Sequence, residues 1–218
     1  MLTAINVTSS APRRARWQAS RIFCCTLWSG VSAFSIAPRY SVCMTSRQTL
    51  PLLWLLSDAR NDAVLQDSLK AMPRGSGFVF RHYHLESEAR RHRFDELSKC
   101  ARELGHVVIL SGEEDWGADG TYGDVRRSGP GLRLATAHDE DEIRRAAQVG
   151  ADAIFLSPVF ATASHPGAPT LGIRGFHALA QRSPVPVIAL GGMTHERARE
   201  LHWPRWGAID GLASTKSA

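Results

Sequence analysis

The residues best suited to bind or transform a small molecule lie where short apolar runs of the sequence end. They are cationic, hydroxyl, carboxylate and glycine positions: Asp58, Arg81, His82, Tyr83, Ser111, Thr136, His138, Thr162, Ser164, His165, Gly191, Gly192 and Ser214. Guanidinium, imidazole and hydroxyl groups all donate hydrogen bonds to phosphate oxygens. The set therefore predicts a site for an anionic small molecule.

One polar loop contributes two of these hydroxyls. Residues 155–172, FLSPVFATASHPGAPTLG, begin as a buried strand and continue as a polar segment. Thr162 and Ser164 alternate along it, so both hydroxyls can point at phosphate oxygens, while Pro166 and Pro169 limit the freedom of the loop. Ordinary solvated loop hydroxyls are the alternative interpretation.

The pair Gly191–Gly192 follows the apolar run VIAL. Because glycine has no Cβ, the backbone N–H groups there can approach an oxyanion closely. A plain strand-to-helix turn explains the same residues equally well. Arg81 is harder to explain structurally, since a charge that ends an apolar strand needs an anion or water. His138 fits either a catalytic or a structural histidine.

Eight apolar runs precede these residues and predict eight strands, at 52–58, 77–83, 106–112, 118–123, 132–138, 152–160, 186–192 and 207–214. Several runs are continuously apolar, which is typical of strands buried on both faces of a parallel sheet. Amphipathic stretches predict helices at 86–105, 139–150, 172–183 and 194–203. Only short polar segments connect the third, fourth and fifth strands.

Alternating strands and helices predict an α/β fold, a small single-domain (β/α)8 TIM-type barrel with some crossover helices short or missing. A flavodoxin-like or Rossmann sheet is the alternative, although no G-x-G-x-x-G motif opens a helix after a strand. The sequence ends just after the eighth strand, which leaves no room for an eighth helix. How the barrel closes is therefore an open question.

The net charge of +5 comes from the N-terminal part of the chain. Residues 1–57 hold six arginines and no acidic residue, while the remainder holds 20 basic and 21 acidic residues. A basic binding face is therefore not expected, and neither is a nucleic-acid partner. No stretch reaches the roughly 18 consecutive apolar residues of a membrane-spanning helix, so no membrane partner is expected either.

Residues 1–43 differ from the rest in being rich in Arg and Ser, free of acidic residues, and home to Cys24, Cys25 and Cys43. This composition is typical of an organellar transit peptide, but an upstream misassigned start, with Met44 as the true first residue, is the favoured interpretation. We therefore expect 1–43 to be an unrelated, poorly ordered extension and 44–218 to form the barrel. A cytoplasmic location is expected unless 1–43 directs the protein to an organelle.

The sequence resembles the thiamine-phosphate synthase/TenI family, most specifically over about 131–214. The segments that carry the resemblance are AHDEDEIRRAAQVGADAIFLSPVFATASHPGAPTLGIRGFHALA, PVPVIALGGMT and GAIDGLAS. The family implies a small (β/α)8 barrel that acts in thiamine biosynthesis. Its synthases couple hydroxymethylpyrimidine pyrophosphate to thiazole phosphate with Mg²⁺, and they release pyrophosphate. TenI-type relatives isomerise a thiazole carboxylate phosphate without metal.

The resemblance implies roles for individual residues. Arg81 matches an arginine that the synthases present to pyrophosphate, and His138 matches a proton-transferring histidine of the TenI-type enzymes. Thr162 and Ser164 match hydroxyls of the family's polar loop, and Gly191, Gly192 and the backbone around Ser214 match its thiazole-phosphate site. The half of the site that holds thiazole phosphate is thus retained.

The departures from the family pattern fall in the pyrophosphate half. Tyr83 and His165 each stand where the synthases have Lys, and Ser111–Gly112 replace an Asn–Asp pair whose Asp binds Mg²⁺. Asp124 is then the weak remaining candidate for a metal ligand. Losing such electrostatic groups raises a barrier by roughly 3–4 kcal/mol each.

Three hypotheses follow. The first is a synthase, with Mg²⁺ as cofactor and with Arg81, His82 and His165 holding pyrophosphate. The second is a tautomerase without a cofactor, in which His138 is the acid/base, since imidazole titrates near neutrality. The third is a non-catalytic barrel that binds a phosphorylated thiazole. The expected partners are phosphorylated thiazole and pyrimidine molecules, and a homo-oligomer is left open.

Overall fold

Eight parallel strands form the framework of the protein. A computed structural model describes residues 49–123, 131–164 and 166–212. The strands are β1 (Leu53–Leu56), β2 (Gly77–Phe80), β3 (Val107–Ser111), β4 (Gly120–Gly123), β5 (Leu132–Ala137), β6 (Ala153–Leu156), β7 (Val187–Ala189) and β8 (Trp206–Ala208). Each overlaps one of the eight apolar runs, so the prediction of eight strands is confirmed.

The sheet closes on itself. Each strand pairs in parallel with the next, and β1 pairs with β8, with Trp54 opposite Gly207 and Leu55 opposite Ala208. The (β/α)8 barrel is therefore confirmed, and the open flavodoxin-like or Rossmann alternative is wrong. Direct pairing of β1 with β8 answers the question of closure.

The described residues contain five α-helices, α1 (Leu65–Ala71), α2 (Ser87–Glu103), α3 (Glu140–Gln148), α4 (Gly172–Ala180) and α5 (His195–Leu201). The last four lie in the predicted helical stretches. The sequence does not predict α1, because seven residues with two buried leucines, Leu65 and Leu69, are too few to show a helical period. None of these helices is long and apolar enough to cross a membrane.

Not every strand is followed by a helix. Residues 112–119, which connect β3 to β4, contain no helix, as the short polar connection indicates. The connection from β4 to β5 includes 124–130, which lie outside the described residues. The predictions for residues 1–43 and for Met44 fall outside the described part of the chain as well.

Alternate strand residues fill the inside of the barrel. The inward side chains form one apolar cluster of Trp54, Leu56, Val79, Val107, Ile109, Leu134, Ala153, Phe155, Ile188 and Leu190. The residues between them face the helices, as Phe80 does where it packs edge-on against Phe94 of α2. Because side chains alternate across a strand, this pattern also decides which residues at the strand ends face the barrel axis.

Trp54 is the bulkiest side chain inside the barrel and is fully buried. Its ring packs edge-on against Phe155, with centroids 5.7 Å apart, and its indole N–H donates to the carbonyl of Pro51 at 3.0 Å. A Cβ added to Gly77, opposite it on β2, would overlap the indole ring. Trp54 therefore occupies the space that a side chain at position 77 would need.

Candidate active site

A cavity of about 900 Å³ lies at the carboxyl ends of the strands. It is lined by residues that follow β2, β5, β6, β7 and β8, and by Tyr122 of β4. This is the end of a (β/α)8 barrel at which active sites form. The volume lies at the upper end of the range for small-molecule sites, so it suffices for two small substrates.

The cavity brings together most of the residues predicted from the sequence. Those that line it are Arg81, Thr136, His138, Thr162, Ser164, Gly191 and Gly192. Asp124, His165 and Ser214 lie outside the described residues, so the roles predicted for them stay predictions. His82 is described but does not line the cavity.

Arg81 faces the barrel axis because it is in step with the inward residue Val79. Its backbone N–H donates to the hydroxyl of Ser57 at 2.7 Å, and its Nη2 lies 3.3 Å from Oδ2 of Asp58. Its Nε is buried and has no hydrogen-bond partner among the described residues. An unsatisfied guanidinium donor beside a cavity is costly unless a ligand accepts from it, which makes Arg81 a candidate anion-binding residue.

His82 faces the helix layer and does not line the cavity, so its position gives no support to the predicted role in phosphate binding, which stays a prediction. Its ring stacks on Phe80, with parallel planes and centroids 4.7 Å apart. Nδ1 lies 2.8 Å from the hydroxyl of Ser57, and Nε2 lies 2.8 Å from Oδ1 of Asp62. With both nitrogens engaged and its side chain fully buried, His82 has a structural position.

The His82 contacts hold the end of β2 next to the end of β1. His82 has a φ of 37°, a left-handed conformation that is rare for a residue with a side chain. Burial lowers the pKa of His82, although Asp62 opposes this. The neutral ring can then accept the Ser57 proton at Nδ1 while Nε2–H donates to Asp62, and Ser57 in turn accepts from the N–H of Arg81. His82 therefore helps to fix the backbone from which the Arg81 side chain extends.

Arg60, which the sequence analysis does not single out, connects three loops at the rim of the cavity. Its Nε lies 2.9 Å from Oδ1 of Asp58, its Nη1 lies 3.0 Å from Oδ2 of Asp210, and its Nη2 donates to the hydroxyl of Ser164 at 2.8 Å. Asp58 is thus shared by Arg60 and Arg81. Burial raises the pKa of Asp58, but the hydrogen bonds and charge of Arg60 outweigh it and hold that pKa below its usual value.

The loop after β7 lines the cavity with Gly191, Gly192 and Met193. Gly191 and Gly192 have φ values of 94° and 63°, in the left-handed region. Among the described residues, no backbone carbonyl accepts from the N–H of Gly191, Gly192 or Met193. A Cβ at Gly191 would lie 2.6 Å from Cα of Pro158, and one at Gly192 would overlap the carbonyl of Ala161. The two glycines therefore let this turn pack against the loop after β6 with its donors unused, as an oxyanion site requires.

His138 lies where β5 gives way to α3, and Glu142 of that helix holds it. The carboxylate oxygen Oε2 of Glu142 accepts from the backbone N–H of His138 at 2.7 Å and lies 2.9 Å from its Nδ1. Nε2 has no hydrogen-bond partner among the described residues. A histidine with one nitrogen held by a carboxylate and the other unengaged beside a cavity can move a proton.

Tyr122, Tyr83 and Ser111 stand on the side of the barrel formed by β2, β3 and β4. The hydroxyls of Tyr83 and Ser111 form a hydrogen bond, and Tyr83 as a residue is 62% exposed. Tyr122 lines the cavity, and burial raises its pKa to about 12, so it stays neutral at physiological pH. Tyr83 therefore does not supply the cation that a Lys would at the same position.

The described residues do not fit a magnesium ion. No group of three His, Cys, Asp or Glu side chains that could hold a metal occurs in them. Among the described residues that line the cavity, Asp210 is the one carboxylate, and it pairs with Arg60, as Asp58 does. Gly112, where the family has its metal-binding Asp, has a φ of 125°, and a Cβ there would meet the mobile end of the Glu114 side chain. The left-handed backbone therefore disfavours an Asp at this position.

Arg197 of α5 also lines the cavity and is absent from the predicted set. Like Arg60, it lies in a polar segment of the sequence. Nothing in that segment distinguishes its charge from the charges of ordinary surface residues. Tyr122 is different, because the alternation along 118–123 places it inward and could have identified it. The roles of Arg60 and Arg197 depend on contacts that only the folded chain forms.

The family model described as thiamine monophosphate synthase matches residues 57–213. The thiamine-phosphate synthase of Chloroflexus aurantiacus is 35% identical over 148 residues, 62% of this chain and 67% of that protein. That of Caldivirga maquilingensis is 26% identical over 168 residues, 69% of this chain and 82% of that protein. A relative from Aquifex aeolicus is 37% identical over 76 residues, and the chain spans only 41% of that protein.

Among solved structures, the barrel is similar to a thiamine phosphate pyrophosphorylase from Pyrococcus furiosus, with a TM-score of 0.66 and 18% identity over 78% of this chain and 90% of that chain. It is also similar to FabK from Thermotoga maritima, with a TM-score of 0.56 and 14% identity over 74% of this chain and 58% of that chain. At such identities these likenesses show the fold alone. The family model, however, covers more than half of the sequence, and the protein therefore belongs to the thiamine monophosphate synthase family.

Proposed function

We propose that the protein is a transferase of thiamine biosynthesis that couples hydroxymethylpyrimidine pyrophosphate to thiazole phosphate, giving thiamine phosphate and pyrophosphate. The family membership and the names of its relatives support this reaction. The observation that carries it to this chain is one cavity in which the N–H groups at 191–193, without a backbone acceptor among the described residues, and the unsatisfied Nε of Arg81 occur together. Two phosphorylated substrates need two such anion-binding groups.

The acceptor half is formed by the loops after β6 and β7. The N–H groups of Gly191, Gly192 and Met193 would bind the phosphate of the thiazole. Pro158 and Leu190 line the same part of the cavity and offer an apolar wall to its ring. The loop that follows β8, which includes the predicted Ser214, would complete this half.

The donor half centres on Arg81. When the bond between the pyrimidine methylene and pyrophosphate breaks, negative charge develops on the leaving oxygens. A preorganised guanidinium at that point lowers the barrier, and a single group of this kind contributes about 3–4 kcal/mol. The hydroxyls of Thr162 and Ser164 would donate to the same oxygens, and Arg60 holds Ser164 in place.

Mg²⁺ is the cofactor that the family resemblance implies, and Asp124 remains its predicted ligand. Since the described residues do not offer a site for it, we derive no step through the metal. Its requirement is tested by carrying out the assay below with and without added Mg²⁺. A homo-oligomer likewise stays a proposal, and light scattering on the purified protein measures its mass directly.

The test of the proposed reaction is direct. Purified protein is incubated with both substrates, and thiamine phosphate is quantified after oxidation to a fluorescent product. We expect turnover by the wild type and a loss of about 100- to 1000-fold in Arg81→Gln. Arg91→Gln is the matched control, because Arg91 lies on α2, pairs with Asp95 and does not line the cavity. Absence of thiamine phosphate under all conditions would refute the proposal.

A second candidate is the metal-independent tautomerase, and the Glu142–His138 contact favours it. A carboxylate at Nδ1 orients the ring and leaves Nε2 to carry a proton between two atoms of a bound thiazole. The tautomerase reaction is followed with the thiazole carboxylate phosphate alone, in wild type and in His138→Asn. Full activity of the variant contradicts this candidate. Binding of thiazole phosphate without either reaction supports the non-catalytic barrel instead.

A further inference from the structure

Arg197 is an arginine of the cavity lining whose charge has no anionic partner in the described chain. The other arginine of the lining, Arg81, is paired with Asp58. Arg197 instead donates from Nη1 to the carbonyl of Gly192, and its guanidinium lies 5.1 Å from the ring centre of Phe160. It forms no ion pair with any carboxylate of residues 49–123, 131–164 and 166–212.

These contacts fix the guanidinium without neutralising it. The carbonyl of Gly192 uses one of the five N–H donors of the group, and the ring of Phe160 attracts its positive charge through the face. The backbone N–H of Arg197 also donates to the hydroxyl of Thr194 at 3.2 Å, which holds the start of the helix against the turn. A half-buried cation is thereby held at the edge of the 191–193 turn with donors to spare.

The position relative to that turn indicates the ligand. A Cβ at Gly192 would lie 3.0 Å from Nη1 of Arg197, so the guanidinium is adjacent to the backbone whose N–H groups are unused. Neutral N–H donors bind oxyanions of any charge, whereas a fixed guanidinium adds a preference for higher negative charge. The combination suits a phosphate monoester dianion better than an alcohol or a carboxylate.

We propose that Arg197 binds the phosphate of the acceptor substrate and makes this half of the cavity selective for a phosphate monoester over the corresponding alcohol. The assignment rests on the proposed function for the identity of the acceptor. Binding of phosphate itself does not depend on that function, which allows the two to be tested separately.

The test uses inorganic phosphate as the probe, at pH 8 and low salt, with binding measured by calorimetry on the full-length protein. We expect Arg197→Gln to weaken binding by about tenfold to a hundredfold, as loss of a charged hydrogen bond does. Arg197→Lys keeps the charge and should lose less. Arg199→Gln is the matched control, since Arg199 is exposed on the same helix and does not line the cavity.

If the Gln variant binds phosphate as tightly as the wild type, the inference is wrong, whatever the enzyme activity. Where turnover is measurable, Arg197→Gln should raise KM for thiazole phosphate more than it lowers kcat. The preference of the enzyme for the phosphate over the corresponding alcohol should also become smaller. An unchanged preference overturns the inference as well. Should the Gln variant fail to fold, Arg197→Met, which also removes the charge but keeps an unbranched aliphatic side chain, decides the question on the same readouts. Wild-type binding that depends on Arg197, without synthesis of thiamine phosphate, would sustain the inference and refute the proposed function.

Discussion

Replacing Gly192 with alanine tests whether the turn after β7 needs glycine for its conformation or for its close packing. Gly192 has a φ of 63°, and a Cβ there would overlap the carbonyl of Ala161 and lie 3.0 Å from Cβ of Phe160. Gly172 provides an unusually well matched control. Its φ is 61°, and a Cβ there would meet nothing within 4 Å.

The two substitutions change the free energy of unfolding through the same contributions, except for the steric one. In each, an alanine in the left-handed region destabilises the folded state by about 1–2 kcal/mol, and the reduced entropy of the unfolded chain stabilises it by about 0.4–1 kcal/mol. Only Gly192→Ala adds the overlap with the loop after β6, and overpacking of this kind costs about 1–3 kcal/mol. We therefore expect Gly192→Ala to be less stable than Gly172→Ala by about 1–3 kcal/mol.

Urea denaturation monitored by tryptophan fluorescence and circular dichroism measures this difference, and equal m values establish that the same transition is compared. Gly192→Ala should also bind inorganic phosphate more weakly, because the N–H groups of the turn must move to relieve the overlap. Equal free energies of unfolding for the two variants would show that packing against the loop after β6 contributes nothing. The account of the phosphate-binding turn would then lose its structural basis.

Three further predictions concern Arg60, His82 and Glu142. Arg60→Gln should reduce kcat/KM by about tenfold, because Ser164 and Asp58 lose a charged hydrogen-bond donor. Steady-state kinetics measures this loss, and an unchanged kcat/KM would show that Arg60 does not contribute to the site. Burial lowers the pKa of His82 below its ordinary value of 6.5, so the unfolded chain binds a proton at this residue more readily than the folded chain does. The free energy of unfolding should therefore fall as the pH drops below 6.5 and level off below the pKa of the folded state. Urea midpoints measured between pH 8 and pH 5 should show this decrease in the wild type and lack it in His82→Asn. Glu142→Gln should leave phosphate binding intact but slow any proton transfer by His138, as a pH–rate profile would show, and an unaltered profile would contradict the role of this pair.

Much of the fold was predictable because the barrel imposes a strong pattern. Runs such as HVVILSG are buried on both faces and are bounded by polar loops, so their strands are evident. Helix α2 is long enough to show its period, and α1 is not. Closure through Leu53 and Trp206 was not predictable, because it depends on a pairing between the two ends of the barrel that no local pattern contains.

The candidate site was predictable to the extent that strand ends converge. That rule alone predicts that Arg81, Thr136 and Gly191 belong to the site. His82 was predicted to bind phosphate, although alternation from Phe78 and Phe80 indicates the helix side for it. The position of Arg60 depends on contacts more than 100 residues distant in sequence, such as that with Ser164, and only the folded chain reveals these.

The contact of Trp54 with Gly77 has a consequence for how this barrel can vary. The indole fills the space above a residue without a side chain, so the two positions share one volume. A lone Gly77→Ala change should be poorly tolerated, whereas the same change combined with a smaller residue at 54 should be accepted. Among related sequences, we therefore expect a larger side chain at position 77 to occur together with a smaller one at position 54. The summed side-chain volume of the two positions should stay nearly constant.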